Sequence, residues 1–372
     1  MKLEGVKVLD LSLFLPGPML TLMMADHGAE VIKVEPVGEG EPTRNVGYRT
    51  GGESVWFRNT HRGKSSIQLN LKDSDDHGVF MALAAEADVV VEAFRPGVAR
   101  RLGVDYDAVR AVNPGVVYCA ISAFGQDGPY RDRPAHDVAI QALAGVVALN
   151  EGQDGLPAMP AMPVADSLAS LTALSGVLMA LLRKRETGLG DYLDVAMFDS
   201  VLAWTPNVTG RVFATGEAPV VKDERSWGGN AMYGLYRTAD DLWLALGGAE
   251  VKFARNLLTP LGRVDLVPLA ERPPGPEQEP LRGFLREAFL GRTLAEWEAW
   301  FADKDVCWAP VRSLKAAFDD PALVARGMLV RDANGHEVVG TPIRFREEPA
   351  VINPVVPGLD GQGSAIRARL KS

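Results

Sequence analysis

The sequence lacks the short motifs that mark the commonest nucleotide and hydrolase sites. The turn after the first apolar run reads LFLPGP (13–18) rather than GxGxxG, which argues against a nicotinamide-dinucleotide site. Neither GxxxxGK[ST] nor GxSxG occurs, so nucleotide hydrolysis and α/β-hydrolase chemistry lose their usual signals. No CxxC or HxxxH spacing is present either, and we therefore expect no metal site.

Cysteine is also scarce, and acidic residues outnumber basic ones. The two cysteines, Cys119 and Cys307, lie far apart among apolar residues, and we interpret both as buried thiols in a reducing compartment. The net charge of −9 argues against a broad basic surface for nucleic acid, though not against a local basic pocket for a phosphorylated ligand. The N-terminal residues lack the pattern of a signal peptide. We find no uncharged 18-residue stretch of membrane-spanning character, since the longest apolar pattern (164–182) contains Asp166. We expect a cytoplasmic protein with neither a nucleic-acid nor a membrane partner.

The first 200 residues alternate between apolar runs and helical patterns. Several runs are almost continuously apolar, as strands buried on both faces are. Strands are predicted at 6–11, 29–35, 65–71, 87–94 and 115–122, and helices at 17–28, 74–86, 104–111, 137–149, 166–186 and 191–204. This alternation predicts the α/β class with a doubly wound parallel sheet.

The length of 372 residues favours two domains. A loop-rich stretch at 215–230 is typical of a linker, which we place at 206–225. Residues 231–248 alternate around TADD, which is a hairpin signal. We predict a large α/β domain over 1–205, a smaller α/β domain over 226–325, and a return to the large domain over 326–372.

Basic residues follow predicted strands in the stretches 58–72 and 94–103. Ligands of a parallel sheet bind beyond the carboxyl ends of its strands, and Arg95 in FRPG falls at such an end. An arginine there can bind phosphate, although solvated surface charge is the ordinary alternative.

His136 and Asp137 stand side by side at the start of a helical pattern. A neutral imidazole can accept a proton at working pH, and backbone N–H groups at a helix start can stabilise an oxyanion. The alternative is that Asp137 caps the helix and His136 packs.

Two further acids begin helical patterns. Asp166 is the only acid in its apolar run, and it is either the N-cap of that helix or an acid, base or nucleophile. Glu250 follows LALGGA and is either a helix-start glutamate or a group that orients an imidazole.

Several collinear segments resemble the class III CoA-transferase (CaiB/BaiF) family, which includes the α-methylacyl-CoA racemases. The resemblance runs along nearly the whole chain, through GVKVLDLS…PGP…ADHGAEVIKVEP, NTHRGKSSIQLNLK, ADVVVEAFRPGVARRLGVDY, NPGVVYCAISAFGQDGP, ETGLGDYLDVAMFDSVL and APVRS…DDPALVARGML. It implies a CoA-thioester substrate, no cofactor beyond the CoA of that substrate, and a homodimer of interlocked rings.

The resemblance leaves two activities open. Racemases of the family use a histidine and an aspartate on opposite faces of the α-carbon with a supporting glutamate, and His136, Asp166 and Glu250 match these positions. On this leading interpretation the enzyme epimerises a 2-methylacyl-CoA through an enolate, with the oxyanion held near Asp137. In the alternative, Asp166 matches the covalent nucleophile of the transferases, which pass CoA to a free carboxylic acid. The run DSLASL after Asp166 is transferase-like.

The resemblance also implies which residues contact CoA. These are Leu69, Asn70, Leu71, Lys72, Ala93, Phe94, Arg95 and Arg101, with Ala135, Val138, Ala139 and Ile140 from the segment 135–140. Another family contact, an arginine in the racemases, aligns with Pro36, which puts phosphate binding on that side in doubt.

Overall fold

The computed structural model describes residues 1–152 and 154–371, which divide into two compact units. Unit 1 holds the described residues of 1–147, 160–205 and 320–372, and unit 2 holds those of 148–159 and 206–319. These bounds differ from the predicted ones, because residues 148–159 and the expected linker 206–225 fall within unit 2. The chain returns to unit 1 at residue 320 rather than at 326.

The elements are numbered along the chain. The strands are β1 (Lys7–Asp10), β2 (Glu30–Glu35), β3 (Arg49–Thr50), β4 (Glu53–Ser54), β5 (Ser65–Gln68), β6 (Val89–Glu92), β7 (Val117–Ser122), β8 (Tyr192–Ala196), β9 (Tyr233–Arg237), β10 (Trp243–Gly247), β11 (Trp308–Pro310), β12 (Leu329–Arg331) and β13 (Glu337–Val339). The helices are α1 (Pro16–Asp26), α2 (Val55–His61), α3 (Ser74–Glu86), α4 (Val98–Leu102), α5 (Tyr106–Val112), α6 (Asp137–Leu143), α7 (Val164–Thr187), α8 (Met197–Ala203), α9 (Gly210–Thr215), α10 (Val251–Leu258), α11 (Glu279–Phe289), α12 (Leu294–Phe301), α13 (Leu314–Phe318), α14 (Pro321–Ala325) and α15 (Gly363–Arg369). Short 3₁₀ segments span Pro42–Asn45, Val147–Leu149, Val221–Asp223, Arg225–Trp227, Val264–Glu271 and Pro276–Gln278.

Unit 1 is built on a six-stranded parallel sheet in the order β5-β2-β1-β6-β7-β8. The chain winds outward in one direction from β1 to β5 and then in the other from β6 to β8. Strand order therefore reverses between β1 and β6, and such a switch point opens a crevice at the carboxyl ends of the strands. The predicted α/β class and parallel sheet are confirmed, and all five predicted strands of this sheet are present.

Both faces of this sheet are covered by helices. Val89 and Val91 of β6 pack into one core with α1 and α7, whereas Val90 packs into the opposite core with α3. All three valines are fully buried, and burying one valine side chain contributes about 1.5–3 kcal/mol. This alternation explains why the sequence of β6 is apolar at successive positions rather than at every second one.

Unit 2 contains a three-stranded antiparallel sheet in the order β11-β10-β9. The predicted hairpin is confirmed, with the turn closed by the Thr238 N–H on the Leu242 carbonyl. Helices α10, α11 and α12 pack on the sheet around a buried core that includes Leu257, Leu285 and Trp297.

Two sequence interpretations are wrong at the level of local structure. The segment 191–204 is not one helix, because its first part forms strand β8, which pairs with β7 at the edge of the sheet. Gly190 permits this pairing, since a Cβ atom there would lie 1.8 Å from the Val116 carbonyl oxygen. Cys119 is a buried free thiol, but Cys307 is exposed.

Helix α7 amends the expectation that no stretch has membrane-spanning character. It has 24 residues, and its length and hydropathy would suffice to cross a membrane. A third of its most apolar 18-residue window is buried inside the structure. Core helices of soluble proteins meet the same criterion, so this feature alone assigns no membrane.

Candidate active site

A cavity of about 690 Å³ opens at the carboxyl ends of the strands of unit 1, at the switch point between β1 and β6. Its walls come from the segments that follow β1, β6 and β7, together with the loop before α6 and the first turns of α7 and α8. The lining residues are Leu13, Phe14, Pro16, Ala93, Phe94, Arg95, Pro96, Ile121, Ser122, Ala123, Arg131, Asp132, Arg133, Pro134, Ala135, His136, Ala139, Asp166 and Met197. The cavity brings His136 and Asp166, which are 30 positions apart, to one site.

Asp166 enters the cavity from the first turn of α7, whose N-cap is Pro163, so the N-cap interpretation of Asp166 is wrong. Pro163 precedes the helix, and proline there suits a helix start because no intrahelical N–H is lost. Burial raises the pKa of the Asp166 carboxyl, and the nearby Asp137 carboxylate raises it further, to about 7. The group therefore exists in both protonation states near neutral pH.

Asp137 is the first residue of α6, and it ties that helix to α7. Its Oδ1 accepts the backbone N–H of Asp166 at 3.1 Å, and its Oδ2 accepts Nε2 of Gln141 at 2.5 Å. The N-cap of α6 is His136, which makes no side-chain cap hydrogen bond. Asp137 therefore positions Asp166 rather than capping its own helix. The predicted oxyanion contact near Asp137 stays a prediction.

His136 is exposed at the cavity wall. Its ring lies edge-on to the ring of Phe14, with 6.1 Å between the ring centroids and 85° between the planes. Phe14 belongs to the loop after β1, so the contact joins two different walls of the cavity.

The residues predicted to contact CoA separate into two groups. Ala93, Phe94, Arg95, Ala135 and Ala139 line the cavity. The others do not line it: Leu69 and Ile140 are buried in the cores on the two faces of the sheet, whereas Asn70, Leu71, Lys72, Arg101 and Val138 lie outside the lining. Contacts of this second group with CoA stay predictions.

Arg101 nevertheless lies close to the cavity through the FRPG loop. A Cβ atom on Gly97 would lie 3.6 Å from Nη1 of Arg101 and 3.5 Å from Nη2 of Arg131, which lines the cavity. Arg95 lines the cavity from the same loop. We call Arg95, Arg101 and Arg131 the FRPG cluster. Its converging positive charges suit a phosphate-bearing ligand.

Sequence reasoning missed two arginines of the cavity, Arg131 and Arg133. The former pairs with Asp132 at 3.6 Å, and the latter lies over the ring of Tyr130 at 5.5 Å. The available signal was their place in RDRPAHD, within five residues of His136.

Three cations of the basic stretch 58–72 do not have the predicted role, whereas the predicted CoA contact of Lys72 stays a prediction. Arg58, Arg62 and Lys64 are buried, and two of them pair with buried acids: Arg62 with Asp26 and Lys64 with Asp10. These cations satisfy internal carboxylates and hold the loops of the sheet together. They do not form a phosphate-binding surface.

Glu92 is a buried acid beside the cavity that the sequence did not single out. It ends strand β6, and its Oε2 accepts the N–H of Phe94 at 2.6 Å. Burial raises the pKa of the Glu92 carboxyl to about 7. This side chain orients the backbone that carries Phe94 and Arg95 into the cavity.

Glu250 belongs to unit 2, where it is the exposed N-cap residue of α10 and makes no side-chain cap hydrogen bond. Its predicted support of the imidazole stays a prediction. Within 1–152 and 154–371, no group of three or more His, Cys, Asp or Glu side chains is arranged to hold a metal ion.

Comparisons with known proteins agree over the whole chain. Residues 3–363 match the model of the CoA-transferase family III. The acetyl-CoA:oxalate CoA-transferase of Acetobacter aceti is 32% identical over 98% of this chain and 94% of its own length. The human succinyl-CoA:glutarate CoA-transferase is 29% identical over 88% of this chain and 76% of its own length.

Solved structures show the same relationship. A CAIB/BAIF family protein from Brucella suis aligns with a TM-score of 0.87 and 30% identity, covering 99% of both chains. Rv3272 from Mycobacterium tuberculosis aligns with a TM-score of 0.83 and 27% identity, covering 98% of both chains. With a matching family model, similar relatives and similar folds, the chain belongs to the CoA-transferase family III.

Proposed function

We propose that this protein transfers CoA from an acyl-CoA to a free carboxylic acid, with Asp166 as the covalent nucleophile. The observation that carries this proposal is an aspartate carboxyl in a cavity lined by three arginines, in a chain whose similar relatives are named CoA-transferases. Those names favour transfer over the epimerisation that led the sequence interpretation.

The proposed reaction balances without a net proton change. A carboxylate oxygen of Asp166 attacks the thioester carbonyl carbon, the C–S bond breaks, and CoA leaves as a thiolate. The thiolate then attacks the aspartyl carbonyl of the mixed anhydride, which releases the first acid as a carboxylate and leaves an aspartyl-CoA thioester. The acceptor carboxylate repeats both steps in reverse, and Asp166 is regenerated.

The surrounding residues support each part of this cycle. The arginines of the cavity suit the CoA phosphates and the carboxylate of the acceptor. His136 shapes the acyl pocket or polarises the thioester carbonyl. The raised pKa of Asp166 makes its carboxylate a stronger nucleophile once ionised, at the cost of a smaller ionised fraction below pH 7.

Transfer is tested by mixing acetyl-CoA or succinyl-CoA with oxalate, glutarate or another dicarboxylate and following new thioesters by mass spectrometry. Asp166→Asn removes the nucleophile and should lower transfer by about 10³-fold or more, as loss of covalent nucleophiles does. Asp132→Asn, which neutralises another cavity carboxylate, is the matched control. An undiminished rate in Asp166→Asn contradicts the covalent role, whereas a thioester trapped on Asp166 supports it.

Epimerisation is the second candidate function, and one arrangement favours it. His136 and Asp166 line the same cavity, and Asp166 has a pKa of about 7, so one group can take a proton while the other returns one. Deuterium incorporation at the α-carbon of a 2-methylacyl-CoA in D₂O, without any acceptor acid, supports this function. CoA transfer without deuterium incorporation leaves CoA transfer as the only supported function.

We also propose that the active form is a homodimer. Helix α7 exposes Leu171, Leu178, Met179 and Leu182 to solvent by 40–70%. An exposed group of large apolar side chains on one helix face is expected to be covered by another protein surface, and a second copy is the partner that the family resemblance implies.

A further inference from the structure

Phe14 lines the cavity and has a backbone conformation that is unfavourable for an aromatic residue. Among the described residues, three non-glycine residues have a left-handed backbone, namely Phe14 (φ 63°), Asp241 (φ 62°) and Asp360 (φ 55°). Aspartate is enriched in that region, whereas a bulky aromatic residue is a genuine outlier there. Such outliers persist only where the surrounding structure enforces them.

The enforcing groups are buried charged side chains beneath the loop. Glu41, fully buried, accepts the Phe14 N–H through Oε1 at 2.9 Å. Asp10 accepts the Ser12 N–H at 3.0 Å. Lys33, fully buried as well, donates to the Ser12 carbonyl and lies 3.5 Å from both Asp10 and Glu41.

A second lysine completes the network. Lys64 donates to Asp10 Oδ2 at 3.0 Å and to the Pro18 carbonyl at 3.0 Å, so it also holds the chain on the far side of the loop. Burial lowers the pKa of Lys64 to about 8 against the opposing effect of Asp10. Buried ion pairs of this kind add little net stability over apolar packing, and their better-attested role is to specify one geometry.

The loop geometry that these ion pairs specify brings the Phe14 ring against His136. The Phe14 ring, exposed by 39%, is edge-on to the exposed imidazole at 6.1 Å. Because the ring is only partly buried, core packing does not account for it. The contact restricts an imidazole that would otherwise sample several rotamers in the cavity mouth.

We propose that Phe14 is a positioning residue, held in a left-handed backbone by Glu41 and the charges around it so that its ring orients the His136 imidazole in the cavity. The consequence for catalysis rests on the proposed function. The orientation of the ring itself does not.

Phe14→Gly separates this role from a structural one. Glycine takes the left-handed backbone without strain, so the melting temperature should stay constant or rise while CoA transfer falls about tenfold or more, as misplacement of a reactive group does. Phe14→Tyr keeps the ring and should retain activity. Asp241→Gly relieves the same backbone conformation in the hairpin of unit 2, and it should change stability without loss of activity.

Coupling to His136 is measured in two ways. In a His136→Ala background, Phe14→Gly should lower transfer by less than about twofold, because coupled residues are not additive. In NMR spectra, the His136 signals, assigned among five histidines by their loss in His136→Ala, should show χ1 coupling constants of one rotamer in the wild type and averaged values in Phe14→Gly, with no change in Asp241→Gly.

The NMR experiment requires no turnover, so it tests the positioning role even if the protein transfers no CoA. Unchanged χ1 coupling constants of His136 in folded Phe14→Gly overturn the proposal. So does an equal loss of activity in both backgrounds. If Phe14→Gly fails to fold, Phe14→Leu, which removes the ring but keeps an apolar side chain, is measured in the same two ways.

Discussion

Asp137 Oδ1 accepts the backbone N–H of Asp166 at 3.1 Å, which places two carboxyl-bearing residues at the junction of α6 and α7. The bond fixes the start of α7. Burial raises the pKa of Asp166, and the negative charge of Asp137 raises it further. Asp137 thus acts on both the position and the protonation of the proposed nucleophile.

This relationship predicts a pH dependence. Transfer needs ionised Asp166, so the rate should rise about tenfold per pH unit up to the Asp166 pKa of about 7 and level off above it. Asp137→Asn keeps an oxygen that can accept the N–H but removes the like charge, so the midpoint should move to lower pH. Burial remains, and it is the larger cause, so the midpoint should stay above the ordinary aspartate value.

The measurement is the pH profile of kcat for the wild type and for Asp137→Asn. Asp132→Asn neutralises another carboxylate of the same cavity and should move the midpoint less. A midpoint that shifts equally in both variants would mean that overall charge, rather than the Asp137 contact, controls Asp166.

Much of the fold was predictable because buried strands have recognisable apolar sequence patterns. The runs ADVVVEAF and GVVYCAIS are apolar at several successive positions, as strands covered on both faces must be. Strand β8 escaped prediction because YLDVA runs directly into helix α8 without a break residue between them. Its pairing depends on a close approach of Gly190 to Val116 that no local pattern records.

The site was predictable only in part. His136, Asp166 and Arg95 stand at element ends where chemistry is expected, and the structure brings all three to one cavity. The burial of Lys64 could not be predicted, because its partner Asp10 lies 54 positions away in the sequence. The left-handed Phe14 was equally hidden, since its conformation depends on Glu41 in a different loop.

The FRPG cluster predicts which part of the substrate Arg131 recognises. Arg131→Ala should raise KM for an acyl-CoA about 10-fold to 100-fold, the range of a lost charge-assisted hydrogen bond of about 1.5–3 kcal/mol. It should leave KM unchanged for the matching acyl-pantetheine, which lacks the nucleotide phosphates. Arg131→Lys keeps the charge, so its KM for the acyl-CoA should lie between those of the wild type and Arg131→Ala. Equal effects on both thioesters would instead place Arg131 against the acyl or acceptor group.

Glu92 predicts a pH-dependent stability. An acid whose pKa is higher in the folded state than in the unfolded chain does not destabilise the fold at pH values below its unfolded pKa. Above that pH the destabilisation grows until the pH passes the folded pKa. For Glu92 this window runs from 4.5 to about 7. At about 1.4 kcal/mol per pH unit, Glu92→Gln should stabilise the protein by about 3 kcal/mol at pH 8 and by little at pH 4.5.

Urea unfolding at several pH values measures this difference. Glu39→Gln, which changes an exposed glutamate, should alter the unfolding free energy by a small amount that does not depend on pH. A stabilisation of Glu92→Gln that is constant from pH 4.5 to 8 would show that shape, not ionisation, is responsible.

The exposed face of α7 predicts the behaviour of the protein in solution. Met179 and Leu182 are exposed by 70% and 67%, and a charge at either position is incompatible with a buried apolar interface. Met179→Glu with Leu182→Glu should convert a dimer to a monomer in light scattering coupled to size exclusion. Val112→Glu, at an exposed apolar position on α5, should leave the dimer intact. A wild type that is monomeric and instead floats with lipid vesicles would assign the α7 face to a membrane, because the same length and hydropathy serve either purpose.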